Sequence, residues 1–207
     1  MDPEYTIRQE QPADYAEVES LTREAFWNVY RPGCVEHYLV HSYRQLPEFV
    51  PELSCVLELD GRIAAHIMYS RAEVALDGGG ILPVLVLGPV SVRPELQRRG
   101  LGGRLIRHTL DAAAERGFGA VVLSGSPEYY SRFGFTDARS LGIRYAGVPE
   151  EVPTPFFMVR ELRAGYLAGV TGSYADPPGY AVSDEDVEAF DARFPPREKL
   201  KLPDQLQ

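Results

Sequence analysis

The sequence contains few cysteines and no long hydrophobic run. Cys34 and Cys55 are the only cysteines among 207 residues. Two are too few for a disulfide framework, and the apolar context of each favours a reduced, buried thiol. No hydrophobic segment approaches the ~20 residues that a membrane helix needs, and the acidic N-terminus does not resemble a signal peptide. We therefore expect a cytoplasmic protein without a membrane partner.

An excess of positive charge is also lacking. Lysine and arginine number 21 against 30 aspartate and glutamate residues, which gives a formal net charge of −9. Binding to nucleic acid requires a basic surface, so we expect no nucleic-acid partner. The hydrophobic content of 44% and the charged content of 25% are ordinary for a globular protein. The length suits one domain with a real core.

The histidines do not form a metal-binding motif. His37 and His41 are four residues apart, a spacing that places both on one helix face and can bind a metal, but no HExxH-type carboxylate accompanies them. We expect these two side chains to have a lining or surface role, and we expect no metal cofactor. His66 lies on a predicted strand and is expected to be a hydrogen-bonded structural histidine.

The most informative stretch runs from residue 88 to residue 110. Val90 and Val92 extend an apolar run that predicts a buried strand, which ends at Pro94. A basic, glycine-rich segment follows over 97–103. The next helix is predicted from residues at helical spacing, namely Leu105, Ile106, Thr109, Leu110 and Ala113. Glycines before a helix let backbone N–H groups turn toward a ligand, and the helix start and the arginines add positive charge. This segment therefore predicts a site for an anion such as phosphate or pyrophosphate.

Two common anion-binding loops do not fit this stretch. A P-loop requires Gly-Lys followed by Ser or Thr, which is absent. A dinucleotide fingerprint requires a third glycine where Leu105 stands and an acidic residue after the next strand. The pattern that fits is Gln-x-x-Gly-x-Gly, which begins at Gln97 and follows Val-x-Val-x-Pro. It resembles the coenzyme A loop of the GNAT N-acetyltransferase superfamily.

A second motif, SPEYYSRFGF, lies at residues 126–135. A strand, a short helix and Phe-Gly-Phe resemble the second half of the GNAT core. The Pro-x-Tyr-Tyr-x-Arg-Phe-Gly-Phe version is similar to one bacterial branch of predicted acetyltransferases. The resemblance implies that Tyr130 protonates the departing coenzyme A sulfur, with Tyr129 beside it as the competing phenol. It extends over roughly residues 5 to 200, and its motif core lies at 88–135.

The resemblance also implies a cofactor site. Strand N–H groups would bind the pantetheine arm, and loop amides would bind the pyrophosphate. Ser126 would replace the asparagine that many relatives carry at the end of the preceding strand. The expected cofactor-binding residues are Val90, Ser91, Val92, Gln97, Arg98, Arg99, Gly100, Leu101, Gly102, Gly103 and Ser126. Tyr130 is the expected catalytic residue, and no general base is assigned.

The fold implied by the resemblance is α/β, with a GNAT-like, mixed and mostly antiparallel central sheet flanked by helices and a splayed central strand. The predicted elements are a strand, two helices, three strands, a helix, a strand, a short helix and final strands. We expect a GNAT acetyltransferase domain over 1–162. Residues 163–207 are expected to form a C-terminal extension packed on the same domain.

The implied activity is that of an acetyl-CoA-dependent N-acetyltransferase, which moves an acetyl group to a primary amine by direct attack. The acceptor would be a small-molecule or peptide amine, and residues 27–50 are expected to line its side of the site. The resemblance to this family also implies a possible homodimer. Two alternatives stay open: a non-catalytic acetyl-CoA-binding regulatory or sensor module, and an enzyme that uses a longer acyl-CoA.

Overall fold

The computed structural model describes residues 5–203 and residue 205. Two compact units can be distinguished by their internal contacts. The first consists of the chain up to Met68, Pro89–Leu105 and the chain from Pro178 onward; the second consists of Tyr69–Gly88 and Ile106–Pro177. The expected division of the chain after residue 162 stays a prediction.

The described residues contain both strands and helices, in the mixed order that the sequence predicts. The strands are β1 (Tyr5–Gln9), β2 (Cys55–Leu59), β3 (Arg62–Leu76), β4 (Ile81–Val92), β5 (Ala120–Ser124), β6 (Thr136–Asp137), β7 (Ile143–Tyr145), β8 (Phe157–Glu161) and β9 (Gly172–Tyr174). The helices are α1 (Tyr15–Phe26), α2 (Glu36–Tyr43), α3 (Leu101–Glu115), α4 (Pro127–Tyr130) and α5 (Asp184–Asp191). No helix in this part of the chain is long and apolar enough to cross a membrane.

The strands pair in the order β1-β2-β3-β4-β5-β8-β6, and β9 pairs with β3 and β7. The antiparallel pairs β1/β2, β2/β3, β3/β9, β5/β8 and β6/β8 outnumber the parallel pairs β4/β5 and β7/β9. The predicted α/β fold with a mixed, mostly antiparallel sheet is therefore confirmed. The β4/β5 register covers only Leu85↔Val121 and Val86↔Val122. Such a short register is compatible with a splayed central strand, and the splay itself stays a prediction.

Turn chemistry determines the hairpin between β2 and β3. Asp60 and Gly61 have φ values of 51° and 73°. Two consecutive residues with positive φ form the type I′ turn whose twist matches that of the flanking strands, and Asp-Gly is one of its preferred sequences. The hairpin predicted from this dipeptide is confirmed. It leads β3 into the interior, where Ile63–Ser70 are all buried.

Helices α1 and α2 pack their apolar sides into the core of the first unit. On α1, Val18 and Leu21 are three residues apart, so they share one face, and both are fully buried. The core cluster consists of Val18, Leu21, Leu39, Val40, Tyr43, Val56, Ile63 and Met68. Both helices are thereby fixed on the N-terminal strands.

The chain after Pro178 packs against α1 and α2 within the first unit. Asp191 at the end of α5 accepts from Arg23 of α1, with 2.6 Å between Nε and Oδ1. The indole Nε1 of Trp27 donates to the carbonyl of Glu198 at 2.9 Å. Neither α5 nor β9 is predicted from the sequence, because short elements of this kind carry little hydrophobic periodicity.

A buried ionic network joins β1, α2 and β3. Arg44 Nη2 lies 2.6 Å from Glu10 Oε1, Ser54 donates to Glu10 Oε2 at 2.9 Å, and His66 Nε2 lies 3.5 Å from Glu10 Oε1. Burial opposes ionisation of Glu10, but the hydrogen bonds and charges of His66 and Arg44 outweigh it and lower the pKa of Glu10 to about 2. The prediction that His66 is a hydrogen-bonded structural histidine is confirmed, since it is fully buried in this network.

We expect Glu10→Gln to lower the free energy of unfolding at pH 7 by roughly 3 kcal/mol, because Arg44 loses a buried partner. As pH falls from about 4.5 toward 2, the unfolded wild-type chain binds a proton at Glu10 that the folded chain does not bind, so wild-type stability declines. The variant lacks this contribution. The stability difference between the two proteins should therefore shrink over this pH range in urea titrations.

The control is Glu52→Gln, which changes an exposed carboxylate and should follow the wild-type pH dependence. A stability difference between wild type and Glu10→Gln that stays constant from pH 5 to pH 3 would contradict the assignment.

Candidate functional site

The sequence motifs fall in different units, the glycine-rich loop in the first and α4 in the second. The loop leaves β4 at Val92, passes through a short turn over Pro94–Leu96 and reaches α3 at Leu101. Arg98 and Gly100 have φ values of 61° and 81°. Left-handed residues of this kind, next to right-handed ones, can turn neighbouring N–H groups to the same side. The backbone thus has the irregular conformation that an anion-binding loop needs.

Arg98 is the more informative of the two left-handed residues. Glycine adopts positive φ at no steric cost, whereas a long side chain rarely does. Strained conformations of this kind cluster at functional sites. The side chains of Arg98 and Arg99 are both exposed, so their charges are accessible to an anionic ligand.

Gln97 closes the base of the loop. Its side-chain Nε2 donates to the carbonyl of Val92 at 3.2 Å, across five residues. Arg104 N donates to Gly100 O at 3.1 Å, which forms the first turn of α3. The N–H groups that open a helix have no acceptor within that helix, and they carry partial positive charge. The loop therefore presents backbone donors and arginine side chains at one helix start.

The three residues expected to bind the pantetheine arm differ in how deeply they are buried. Val90 and Val92 are half-buried, whereas Ser91 is fully buried. The Ser91 hydroxyl donates to Thr22 Oγ1 of α1 at 2.9 Å. Because this bond occupies the side chain, the backbone is the part of Ser91 left to contact a ligand.

In the second unit, the expected serine, Ser126, immediately precedes α4, and Tyr129 and Tyr130 are the last two residues of this helix. Ser126 is exposed, and its carbonyl accepts from the backbone N of Tyr129 at 3.1 Å and of Tyr130 at 3.0 Å. The segment ends at Gly134, whose φ of 80° is the left-handed conformation that commonly stops a helix. The motif glycine therefore ends the short turn over Ser131–Phe133, which directly follows the two tyrosines.

The ring of Tyr130 lies directly over Gly125. A Cβ atom at residue 125 would lie 2.4 Å from Tyr130 Cε2 and 2.8 Å from Cδ2, so only glycine leaves room for the ring in this position. Phe135 contacts the same ring edge-on, with 5.9 Å between centroids. In the sequence, Ser124-Gly125-Ser126 stands out only as the loss of an asparagine, and this role of Gly125 was missed. A glycine at the end of a strand is the signal that could have indicated it.

Tyr129 has a different environment from its neighbour. Burial raises the pKa of the Tyr129 phenol, and the positive charges of Arg132 and Arg107 work against that rise. Arg132 stacks over the Tyr129 ring at 4.9 Å, and Phe133 lies 5.4 Å from it. The two phenols therefore differ in environment. Tyr129 packs against the neighbouring side chains of Arg132 and Phe133, whereas Tyr130 packs on the end of β5.

The described residues hold no group of three or more His, Cys, Asp and Glu side chains that could bind a metal. His37 is fully buried, and its Nε2 lies 3.3 Å from Asp191 Oδ1. Burial lowers the pKa of His37 to about 4, although Asp191 works in the opposite direction. The expectation of a lining or surface role is therefore wrong for His37. His41 is half-exposed, and its Nδ1 lies 2.9 Å from Glu19 Oε1.

Comparison with known proteins identifies the class. Residues 6–138 match the family model described as the acetyltransferase (GNAT) domain. The uncharacterized N-acetyltransferase YhbS of Escherichia coli (strain K12) is 30% identical over 168 residues, which cover 80% of this chain and 92% of YhbS. The chain therefore belongs to the GNAT acetyltransferase family.

Two solved structures support the same assignment. The crystal structure of YhbS from Escherichia coli in complex with CoA is 28% identical in sequence, with a TM-score of 0.74 over 87% of this chain and 93% of that one. A GNAT family acetyltransferase from Brucella melitensis, solved in complex with acetyl-CoA, is 29% identical, with a TM-score of 0.67 over 86% of this chain and 98% of that one. The expected family and fold are thereby confirmed.

We expect Gly125→Ala to lower the free energy of unfolding by roughly 2 kcal/mol, because the new methyl group would overlap the Tyr130 ring. In a Tyr130→Ala background the ring is gone, so the same change should cost much less. Thermal and urea unfolding of the wild type, the two single variants and the double variant would measure the coupling between residues 125 and 130.

Gly78→Ala is the matched control, since a Cβ at residue 78 meets nothing within 4 Å and its φ is not positive. Equal costs of Gly125→Ala with and without the Tyr130 ring would show that the close contact is not what requires glycine.

Proposed function

We propose that this protein is an acetyl-CoA-dependent N-acetyltransferase that moves the acetyl group directly to a primary amine. Family membership over residues 6–138 supports the reaction class. Two relatives, solved with CoA and with acetyl-CoA, support the donor. The observation in this chain that carries the proposal is the backbone of its loop, with left-handed Arg98 and Gly100 immediately before α3.

The loop would hold the anionic part of the donor. Backbone N–H groups over 98–103 bind the pyrophosphate, and the side chains of Arg98 and Arg99 add charge. Gln97 acts by fixing the loop to the carbonyl of Val92, the bond seen at 3.2 Å. The backbone of Val90, Ser91 and Val92 binds the pantetheine arm, and Ser126 contributes a hydroxyl in place of the asparagine of relatives.

The chemistry needs three contributions from the protein. A protonated amine must first lose a proton, because only the neutral form attacks a thioester. A backbone N–H near Val90 hydrogen-bonds the carbonyl oxygen as negative charge develops on it. The C–N bond forms and the C–S bond breaks, Tyr130 gives its proton to the departing thiolate, and the new amide nitrogen releases its extra proton to solvent. The tyrosine then recovers a proton from solvent, so no covalent enzyme intermediate is needed.

The acceptor is a primary amine on a small molecule or a peptide. A cytoplasmic location and a homodimer stay predictions. The alternative of a regulatory module predicts acetyl-CoA binding without turnover. A longer acyl donor would instead give amine-dependent turnover that is faster with that donor than with acetyl-CoA.

We expect Tyr130→Phe to lower kcat for amine-dependent thiol release by about 10²-fold or more, because the thiolate loses its proton donor. The Kd for CoA should change less than about twofold, since the ring remains. Thiol release from acetyl-CoA with a panel of primary amines, together with calorimetry of CoA binding, would measure both.

Tyr129→Phe is the matched control and should keep kcat near the wild-type value. If Tyr129→Phe lowers kcat and Tyr130→Phe does not, Tyr129 is the proton donor. Binding of acetyl-CoA by the wild type without thiol release for any amine would favour the regulatory module.

We expect Gly100→Ala to raise the Kd for CoA by about tenfold or more. Alanine is strained at a φ of 81°, so the loop would move and its N–H groups would lose their alignment. Calorimetry with CoA measures the effect.

The control is Gly165→Ala, because Gly165 has a φ of 79° and, as at Gly100, a Cβ atom added there would meet nothing within 4 Å. Both variants should lose similar stability, and only Gly100→Ala should lose CoA affinity. Equal CoA affinity in the two variants would show that the loop is not part of the site that binds the donor.

A further inference from the structure

One carboxylate of the first unit is withdrawn from water without a cationic partner. Glu36 is the first residue of α2 and is half-buried. Its Oε2 accepts from Cys34 Sγ at 3.3 Å and from the backbone N of Val35 at 3.1 Å. Burial raises the pKa of the Cys34 thiol, so at pH 7 the thiol keeps its proton and donates it to this bond. A carboxylate has about four lone-pair directions, so Glu36 keeps the capacity to accept a proton.

The cations beside this segment are paired with other carboxylates. Arg31 Nη2 lies 2.8 Å from Asp184 Oδ1. Lys199 packs its side chain on the loop that joins α1 to α2 and forms an ion pair with Glu188. Neither cation pairs with Glu36 in the described part of the chain. A carboxylate in such surroundings costs free energy, and groups of this kind cluster at functional sites.

Burial controls the ionisation of Glu36. It raises the pKa of the carboxyl, and the hydrogen bonds from its own backbone, from Cys34 and from Val35, together with the charge of Arg31, reduce that rise without cancelling it. A general base works best when its pKa lies near the pH at which the enzyme operates. The surroundings of Glu36 therefore shift its pKa in the direction that favours proton removal from a substrate.

Contacts within the first unit connect Glu36 to β4. The Ser91 hydroxyl donates to Thr22 on α1 at 2.9 Å, and Phe26 is four residues further on, so its side chain lies on the same face of α1 as Thr22. The Phe26 ring contacts the ring of Tyr30, with 5.9 Å between centroids. Burial raises the pKa of the Tyr30 phenol, and the charge of Glu36 adds to that rise. Glu36 therefore ends a row of neighbouring side chains that begins at the strand proposed to hold the donor.

An aromatic surface borders the carboxylate. Tyr30 is 48% exposed, and Phe26 beside it is half-buried. Aromatic rings attract a cation such as an ammonium group, and a carboxylate attracts it more strongly. The end of α1 and the start of α2 thus offer a protonated amine both a ring to approach and a group that can take its proton.

We propose that Glu36 is the general base that removes a proton from the acceptor amine, directly or through one water molecule. The inference rests on the proposed acetyltransferase activity and supplies the step to which the sequence assigns no residue. An N–H bond of the ammonium group breaks, and its proton moves to the carboxylate. The neutral amine keeps the electron pair with which it attacks the thioester, and Glu36 then releases the proton to solvent.

The test compares Glu36→Gln with the wild type in amine-dependent thiol release, with the amine of the panel that the wild type uses fastest. We expect kcat/KM for the amine at pH 7 to fall by about 10²-fold, because the base is lost. The KM for acetyl-CoA should stay within about twofold of the wild type, since the loop that binds the donor is unchanged.

The pH profile separates a base from a structural residue. The wild type takes the protonated amine, so its kcat/KM for total amine should be level between the pKa of Glu36 and that of the amine. Glu36→Gln depends on amine that is already neutral in solution, so its kcat/KM should rise about tenfold per pH unit up to the pKa of the amine. Glu36→Asp keeps a carboxylate and should give the level profile at a lower rate.

Glu24→Gln is the matched control, because Glu24 is an exposed carboxylate on α1 to which no role is assigned, and its profile should match the wild type. A pH profile of Glu36→Gln equal to that of the wild type would overturn the inference and leave the activity intact. So would a loss of thermal stability in Glu36→Gln at unchanged kcat/KM, which would show that the carboxylate only stabilises the start of α2. No thiol release from the wild type with any amine would overturn the proposed activity and this inference together.

Discussion

The close packing of one aromatic ring on one backbone position governs the second unit. Tyr130 occupies the space that a Cβ of residue 125 would fill, so the phenol is held by the end of β5 and not by α4 alone. The end of this strand thus positions the proposed proton donor.

The first unit uses backbone strain and buried charge for different purposes. In its loop, Arg98 holds a left-handed conformation that costs free energy, which is reasonable where ligand binding offsets that cost. Away from the loop, ionised groups are paired inside the protein, as Glu10 is with Arg44. A buried pair of this kind costs desolvation and mainly fixes how the elements fit. Its pKa shift therefore concerns stability, whereas the exposed arginines of the loop concern binding.

The expectation that residues 27–50 line the acceptor side of the site stays a prediction. Within this segment Trp27, His37 and Tyr43 are buried, whereas Tyr38 and His41 line a surface pocket together with Phe190 of α5. His37 packs on Phe190 of α5, with 5.2 Å between ring centroids. The His37 ring helps to hold the C-terminal part of the chain in place, because covering it with Phe190 and Phe194 removes apolar surface from water.

The sequence alone determined the features that depend on neighbours in the chain. The Asp60-Gly61 turn, the helical spacing on α1, the loop before α3 and the motif around Tyr130 each carry their signal within a few residues. Only the tertiary structure decided which distant groups meet. Tyr145 and Asp176 are 31 residues apart, and Trp27 and Glu198 are 171 apart. Such contacts follow from strand register and from the burial of whole faces, which no local spacing records.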